Sequence, residues 1–449
     1  MKILDRKEPI LLFLGDILIF IFALWLSLAI RSGWFPSLAE FYAHLTPFSF
    51  IFLTWIFSFF IAGLYEKHTV TLKSKLPNVI LKTQIFNSVI AALFFYLVPY
   101  FGIAPKTILF IYLFVSFFLV LAWRIYGESL FGFKEREKAI LIGSGEEMHD
   151  LKDEVNNNYR YSLEFVSSID LDKIDSLDFQ SEILDRIYAE GISIIVIDLL
   201  NKKVEPILPH LYNLIFSKIK FVDMHKIYED IFDRMPLSLL KYNWFLENIS
   251  FAQRIGYDAL KRGTDIGLSF LLGIISLIFY PFAILLIKID DGGPIFISQE
   301  RVGRNNKIIK IMKFRSMSVN DDGVTEKEKV RKITRAGSFL RKTRIDELPQ
   351  LWSVLKGDMS LVGPRPEMPS LVKLYEKEIS YYNIRHLIKP GLSGWAQLYH
   401  STPPKFDAGS KETKIKLSYD LYYIKNHSFL LDLKIVLKTL KALLSRSGV

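Results

Sequence analysis

The sequence predicts a membrane protein in three parts. These are an N-terminal four-helix transmembrane bundle (residues 1–132), a Rossmann-like α/β middle domain (133–250) and a C-terminal, mainly α domain (251–449) with a re-entrant membrane helix at 266–289. Three observations predict it. Four apolar runs near the N-terminus are each long enough to span a bilayer. Short β-branched runs alternate with polar helical stretches in the middle. A fifth apolar run is interrupted by Pro281 and has basic residues on both flanks.

Composition points the same way. The chain has 449 residues, half of them hydrophobic, and Phe alone occurs 36 times. That length exceeds one compact core. There is no cysteine, which excludes disulfides, thiolate metal sites and a cysteine nucleophile. The net charge of +10 suits anionic partners. With so much apolar sequence, lipid head groups and phosphorylated substrates are favoured over nucleic acid.

The four N-terminal runs are Ile10–Ile30, Pro47–Leu64, Ile85–Phe101 and Thr107–Ile125; about 20 apolar residues cross the hydrocarbon. The first is too long for a cleavable signal peptide, and no small-residue cleavage site precedes Arg31. Basic residues set the orientation. Lys2, Arg6 and Lys7 precede the first run. Lys67, Lys73, Lys75 and Lys82 separate the second from the third, and Arg124, Lys134, Arg136 and Lys138 follow the fourth. Both ends of the bundle are therefore expected in the cytoplasm. Asp16 lies within the first run, where a central carboxylate costs roughly 2.5–3.5 kcal/mol. It is expected to face the bundle or sit near the interface; a proton or ion site is the alternative.

In the middle part, Ala139–Ile142, Phe165–Ile169, Ile192–Ile197 and Ile219–Val222 read as strands of a parallel sheet. Gly143-Ser144-Gly145 invites a dinucleotide reading. Met148 replaces the third glycine, however, and Glu146 and Glu147 stand where a pyrophosphate would meet the helix. A structural spacer is the expectation.

The fifth run, Ile266–Ile289, contains Pro281, which breaks an interior helix. Lys261 and Arg262 precede it, and Lys288, Arg301 and Arg304 follow. A full crossing would place the basic C-terminal part outside, against the positive-inside rule; a hairpin that enters and leaves on the cytoplasmic side satisfies both facts. Farther on, Phe429–Leu444 reads either as a helix in the head-group plane or as an amphipathic helix packed on a core.

The candidate chemistry centres on Arg341-Lys342-Thr343-Arg344-Ile345-Asp346-Glu347-Leu348-Pro349-Gln350-Leu351. Pro349 belongs in a first helical turn, so a helix should begin near Asp346, with free N–H groups that attract anions. Arg331, Lys332, Arg335, Arg341, Lys342 and Arg344 supply more positive charge than two carboxylates need. The excess suits a phosphate ligand; a lipid-facing basic surface would use the same residues. Leu361–Glu367 has two X-Pro bonds that stiffen the chain around Arg365. Lys389–Gln397 is a Pro/Gly-punctuated turn with Trp395 packing, and Lys313-Phe314-Arg315-Ser316-Met317 reads as a short strand with two cations on one face. There is no histidine cluster, Gly-x-Ser-x-Gly elbow or Walker sequence.

Taken in order, these segments resemble the bacterial sugar transferase family, the monotopic phosphoglycosyl transferases. The resemblance covers Arg254 to Thr439. It runs through Lys261-Arg262-x-x-Asp265, Gly293-Pro294, Gln299, Arg301 and Gly303. It continues with Lys313–Met317, Asp346–Gln350, Leu361–Pro366 and Lys389–Gln397, and closes at Tyr419-Asp420-x-Tyr422-Tyr423-Ile424-Lys425-Asn426. The four spans and the α/β middle resemble the long, exopolysaccharide-initiating subgroup, such as undecaprenyl-phosphate galactose or glucose phosphotransferases. Small members carry Asn-Gly-Arg after the last turn; here Leu398-Tyr399-His400-Ser401 follows, so that arginine contact is not carried over.

The resemblance implies a two-step reaction. Asp346 attacks the β-phosphate of a UDP-sugar and expels UMP; polyprenyl phosphate then takes the phospho-sugar from the aspartyl intermediate. It assigns Asp346 and Glu347 to catalysis and Glu347 to Mg²⁺. It assigns Lys313, Arg315, Arg344, Arg365, Arg301, Gln397 and Asp420 to substrate binding, and Lys261, Arg262, Asp265 and Pro281 to anchoring the re-entrant helix. The site is expected on the cytoplasmic face of a bacterial inner membrane, in a homodimer. Two readings compete: a conventional glycosyltransferase that releases UDP, and an inactive scaffold or regulator of polysaccharide assembly.

Overall fold

A computed structural model describes residues 8–65, 76–98, 106–130, 136–158, 161–173, 178–217, 219–237, 240–249, 255–290, 292–317, 333–399 and 411–444. Of the residues singled out above, Lys2, Arg6, Lys7, Lys67, Lys73, Lys75, Phe101, Lys134, Arg254, Arg331, Lys332, His400 and Ser401 lie outside these ranges. The chain forms two compact units. One holds residues 1–142, 149–196 and 207–221; the other holds 143–148, 197–206 and 222–449.

The first unit begins with helices α1 (Glu8–Ser32), α2 (Leu38–Ile61), α3 (Leu76–Leu97) and α4 (Lys106–Leu130). Each contains a stretch long and apolar enough to cross a membrane. Two begin earlier than the apolar runs predict. Helix α2 starts at Leu38 with Ser37 as its N-cap and carries Pro47 inside it, and α3 starts at Leu76 rather than Ile85. Hydropathy reads only the apolar part of a helix, and Pro47 is buried in the bundle core rather than ending the segment. That core is aromatic. Phe20, Phe48, Phe52, Phe59, Trp55 and Tyr112 are buried together, with the Trp55 and Tyr112 ring centroids 4.9 Å apart. A Cβ on Gly15 would lie 2.1 Å from the Trp123 ring, so a glycine is required where α1 meets α4.

Asp16 faces the bundle interior, as expected, but its partner was not anticipated. Arg124, read from sequence as a flanking basic residue, is buried and ion-paired with Asp16, and it donates to the Leu64 carbonyl at 2.8 Å. Sequence distance hid the pair: 108 residues separate the two.

The α/β region follows the predicted strands closely: β1 (Glu137–Gly143), α5 (Gly145–Asn157), β2 (Leu163–Asp170), α6 (Asp185–Glu190), β3 (Ile194–Ile197), α7 (Leu208–Leu214) and β4 (Lys220–Asp223). The parallel sheet has the order β2-β1-β3-β4. Its two central strands are the most buried, as a sheet covered on both faces requires. At the end of β1, a Cβ on Gly143 would meet the Met224 sulfur at 2.5 Å and Met148 at 3.6 Å, so two methionines fill the space beside the glycine loop.

In the second unit, α8 (Met224–Phe232) and α9 (Tyr242–Asn248) precede a broken hydrophobic helix. It consists of α10 (Ile255–Ser276), a 3₁₀ turn at Leu277–Phe279 and α11 (Tyr280–Asp290). Pro281 explains the interruption, because it has no N–H to donate to the carbonyl four residues back. The hairpin β5 (Phe296–Val302) and β6 (Ile308–Phe314) is antiparallel, with Ile297 opposite Lys313 and Arg301 opposite Ile309. Next come α12 (Arg335–Lys342), a 3₁₀ turn at Ile345–Glu347 and α13 (Gln350–Lys356). The chain ends with β7 (Ser360–Val362), α14 (Pro369–Glu378), β8 (Gly391–Ser393), α15 (Trp395–Tyr399), α16 (Lys411–Asn426) and α17 (Phe429–Leu444).

The two halves of the broken helix pack on different partners, α10 on α13 and α11 on α12. Those partners flank the turn that carries Asp346. Tyr280, Ala283, Ile284 and Ile287 of α11 form one core with Phe314, Leu340 and Ile345, so α11 buttresses the residue next to Asp346. Helix α17 packs on the domain through Ile435, with Lys434 over the Trp395 ring at 4.8 Å, while Leu430, Leu433 and Leu440 stay exposed.

Candidate active site

The turn at Ile345–Glu347 exists because two helices meet there at a residue in the left-handed region. Helix α12 ends at Lys342 with Thr343 as its C-cap; Arg344 has φ +54°, and the chain then enters α13 through its N-cap, Pro349. At this helix start Glu347 N donates to Arg344 O and Leu348 N to Ile345 O. The 3₁₀ turn takes these two donors, and side-chain cations add to the attraction for an anion here.

Asp346 is 7% exposed. Burial first, and the neighbouring Glu347 charge second, push its pKa up to about 6, against the pull of Lys313, Arg341 and Arg365. Glu347 goes the other way. Burial works to raise it, but Arg365 and Arg344 outweigh burial and hold it below the ordinary glutamate value. Arg365 donates to Glu347 Oε1 at 2.8 Å, and the Arg344 guanidinium lies 3.6 Å from Oε2. Two adjacent carboxylates thus differ in environment: one is buried among cations it does not pair with tightly, the other is clamped.

The remaining predicted residues divide into two sets. Lys313 and Arg365 converge on the turn with Arg341, which belonged to the basic cluster but was not singled out as a ligand. Arg315 donates to Met317 O at 2.9 Å, and its guanidinium lies on Gly293, where a Cβ would be 1.4 Å away. Arg301 shares the hairpin face of Lys313 by register and donates to Gln299 at 2.7 Å. Gln397, on α15, has a buried Nε2 with no hydrogen-bond partner. Asp420 is 2% exposed and paired with Arg385 at 2.9 Å; burial first raises its pKa to about 6 despite that arginine. Arg385 also donates to the Arg365 carbonyl at 2.9 Å and lies 3.8 Å from Glu367. Asp420 therefore acts on the turn through Arg385 and the backbone of Arg365. Sequence reasoning missed Arg385, because a single arginine in Ile384-Arg385-His386 carries no pattern.

The anchor residues dock α10 onto the domain. Lys261 donates to Val362 O at 3.1 Å and to Asp432 at 2.8 Å. Arg262 donates to the Val354 and Leu355 carbonyls at 2.8 and 2.7 Å, where it caps the C-terminus of α13. Asp265 accepts from Ser360 Oγ at 3.1 Å and from Leu361 N at 3.0 Å. Pro281 lies in the first turn of α11. Gly363, Gly391 and Gly394 let the two loops that follow meet backbone to backbone; a Cβ on any of them would fall within 2.4 Å of a main-chain atom.

Among the described residues, no group of three or more histidine and acidic side chains is gathered to hold a metal. The donors at hand are the Asp346 and Glu347 carboxylates. Hard oxygen ligands of this kind fit Mg²⁺, which commonly takes one or two carboxylates and completes its shell with water and substrate phosphates.

A family profile described as "Bacterial sugar transferase" matches residues 256–446. Over 199 residues the chain is 43% identical to a UDP-N-acetylgalactosamine-undecaprenyl-phosphate N-acetylgalactosaminephosphotransferase of Aeromonas hydrophila, covering 43% of this chain and 45% of the relative. It is 40% identical over 195 residues to an exopolysaccharide production protein of Rhizobium leguminosarum bv. phaseoli, covering 42% of this chain and 96% of that protein. It is 29% identical over 324 residues to an undecaprenyl-phosphate glucose phosphotransferase of Komagataeibacter xylinus, covering 68% of this chain and 58% of the relative. The matched part thus spans less than two thirds of the Aeromonas and Komagataeibacter proteins and nearly all of the Rhizobium one.

Proposed function

The chain belongs to the bacterial sugar transferase family, and from that premise we propose that it transfers a sugar 1-phosphate from a UDP-sugar to undecaprenyl phosphate and releases UMP. The observation that carries the reading is the state of Asp346: a buried carboxylate with a raised pKa, facing Lys313, Arg341 and Arg365, beside a Glu347 clamped by arginines.

The chemistry follows from charge. A carboxylate attacks a diphosphate only when the negative charge of the phosphates is neutralised. Lys313, Arg341 and Arg365 supply cations at the turn. An Asp346 oxygen forms a bond to the β-phosphorus while the bond to the bridging oxygen breaks, and UMP leaves with the electron pair. An oxygen of the acceptor phosphate then attacks the same phosphorus, the acyl-phosphate bond breaks, and the Asp346 carboxylate is regenerated. No net proton is consumed. Bound Mg²⁺ would add further neutralisation of the diphosphate, with Glu347 as its ligand. Arg365 holds Glu347 in one orientation, and Arg385 and Asp420 hold the main chain of Arg365.

Location follows from the broken helix. The reading places α1–α4 across a bacterial inner membrane as a four-helix bundle and α10–α11 as a re-entrant hairpin. The domain from residue 251 then lies on the cytoplasmic face, after an α/β spacer at 133–250. A water-soluble donor and a lipid acceptor can both reach a turn held between the halves of such a helix. A homodimer is part of the same reading. The deciding experiment incubates the purified chain with a panel of UDP-sugars and undecaprenyl phosphate. UMP release and a phospho-sugar adduct on the Asp346 peptide are expected; UDP as the sole nucleotide, or no labelled lipid from any donor, overturns the proposal.

A further inference from the structure

We propose that the apolar groove beside the Asp346 turn binds the isoprenoid chain of the acceptor and selects it by length; this rests on the acceptor named above. The groove, about 590 Å³, is lined by Phe279, Phe282, Phe339, Thr343, Ile345 and Leu348. A volume of that size suits a ligand site.

Its chemistry excludes a polar occupant. Thr343 is the one polar side chain in the lining, and its hydroxyl already donates to Phe339 O at 2.9 Å. The three phenylalanines are each less than half exposed, at 43, 46 and 44%, so each ring keeps an open side. Phe282 and Phe339 meet edge to face at 5.9 Å, joining the broken helix to α12. Position then fixes what kind of apolar molecule fits. Ile345 and Leu348 bracket Asp346 and Glu347 in sequence, so the groove lining belongs to the same turn on which Lys313, Arg341 and Arg365 act. Phe279 and Phe282 belong to the broken helix, whose Phe270, Ile278 and Leu285 are exposed. The occupant is therefore an amphiphile with an anionic head at the turn and an apolar chain running toward lipid. An isoprenyl phosphate meets each requirement and brings its phosphate to the phosphorus on Asp346.

The test separates the two half-reactions in the full chain. Phe282→Ser and Phe339→Ser are compared with Phe270→Ser, which removes similar apolar area outside the groove. UMP release from the donor should stay within about twofold of the parent in all three. For C55 isoprenyl phosphate, KM should rise about tenfold or more in the two groove variants, as the loss of one buried ring implies. For C10 isoprenyl phosphate it should change far less, so the preference for the long chain collapses. Retention of that preference in both groove variants, or an equal collapse in Phe270→Ser, overturns the proposal. If the parent releases no UMP, the reaction assignment fails, and the groove is judged by photo-crosslinking with a diazirine-bearing C55 phosphate. Labelling of residues 277–290 and 335–348 that unlabelled C55 phosphate displaces and phospholipid does not supports the groove; labelling elsewhere, or equal displacement by phospholipid, overturns it.

Discussion

Asp346 is held in a state that folding alone would not choose. Its pKa is raised from 3.8 to about 6, so between those values the folded protein binds more protons than the unfolded chain. Stability contributed by protonated Asp346 is complete below about pH 4 and is lost as pH rises through 6. Removing the charge should therefore stabilise the fold at neutral pH while it ends the chemistry. Asp346→Asn is expected to lose at least about 10³-fold in UMP release, as loss of a nucleophile does, and to unfold at a higher temperature than the parent at pH 7.5; a lower Tm would contradict the charge argument. The same ionisation sets a pH profile. The rate of UMP release should fall about tenfold per pH unit below 6 at saturating donor, and a profile flat from pH 7 to 5 would remove Asp346 as the group that must ionise. Gly293 makes a finer prediction. Because the atom it would strike is the far end of Arg315, Gly293→Ala should fold, displace the guanidinium and raise KM for the donor severalfold, read from initial rates.

Among the elements, the broken helix and α13 are tied by one arginine. Arg262 donates to two carbonyls at the end of α13, which Gly357 closes with φ +96°. A positive charge at a helix C-terminus is favourable, and charge-assisted hydrogen bonds contribute roughly 1.5–3 kcal/mol each. Arg262→Met keeps the length and the apolar stem but leaves the Leu355 carbonyl without this donor, while the Val354 carbonyl keeps Gly357 N. It should lower stability by roughly 1–3 kcal/mol, measured by thermal unfolding in detergent, and loosen the turn that α13 follows. Elements were largely legible beforehand. The four β-branched runs became the four sheet strands, and Pro349 did mark a helix start. What was not legible at this scale was the tight turn before α13, which takes Glu347 N and Leu348 N. Turn type depends on Arg344 adopting a left-handed conformation that no residue preference announces.

For the whole molecule, topology is the open quantity with the widest consequence. The chain has no cysteine, so single cysteines report without background. Glu247 and Lys310 lie on either side of the broken helix, and both are exposed. If α10 and α11 form a re-entrant hairpin, Glu247→Cys and Lys310→Cys should both react with an impermeant maleimide only in inverted vesicles; labelling from opposite sides would make the helix a full crossing.

Chain order alone determined where the apolar helices, the sheet strands and the family motifs lie. Apolar length, β-branched alternation and an ordered set of short motifs are local properties, and they were enough to outline these elements and the family. Tertiary structure decided which groups meet. Arg124 finds Asp16, Arg385 holds Arg365, and Lys313 on a strand faces a carboxylate on a turn, across separations of 108, 20 and 33 residues (the last being 346 less 313). Electrostatic interactions depend on distance and burial after folding, and neither is written in the spacing of residues along the chain.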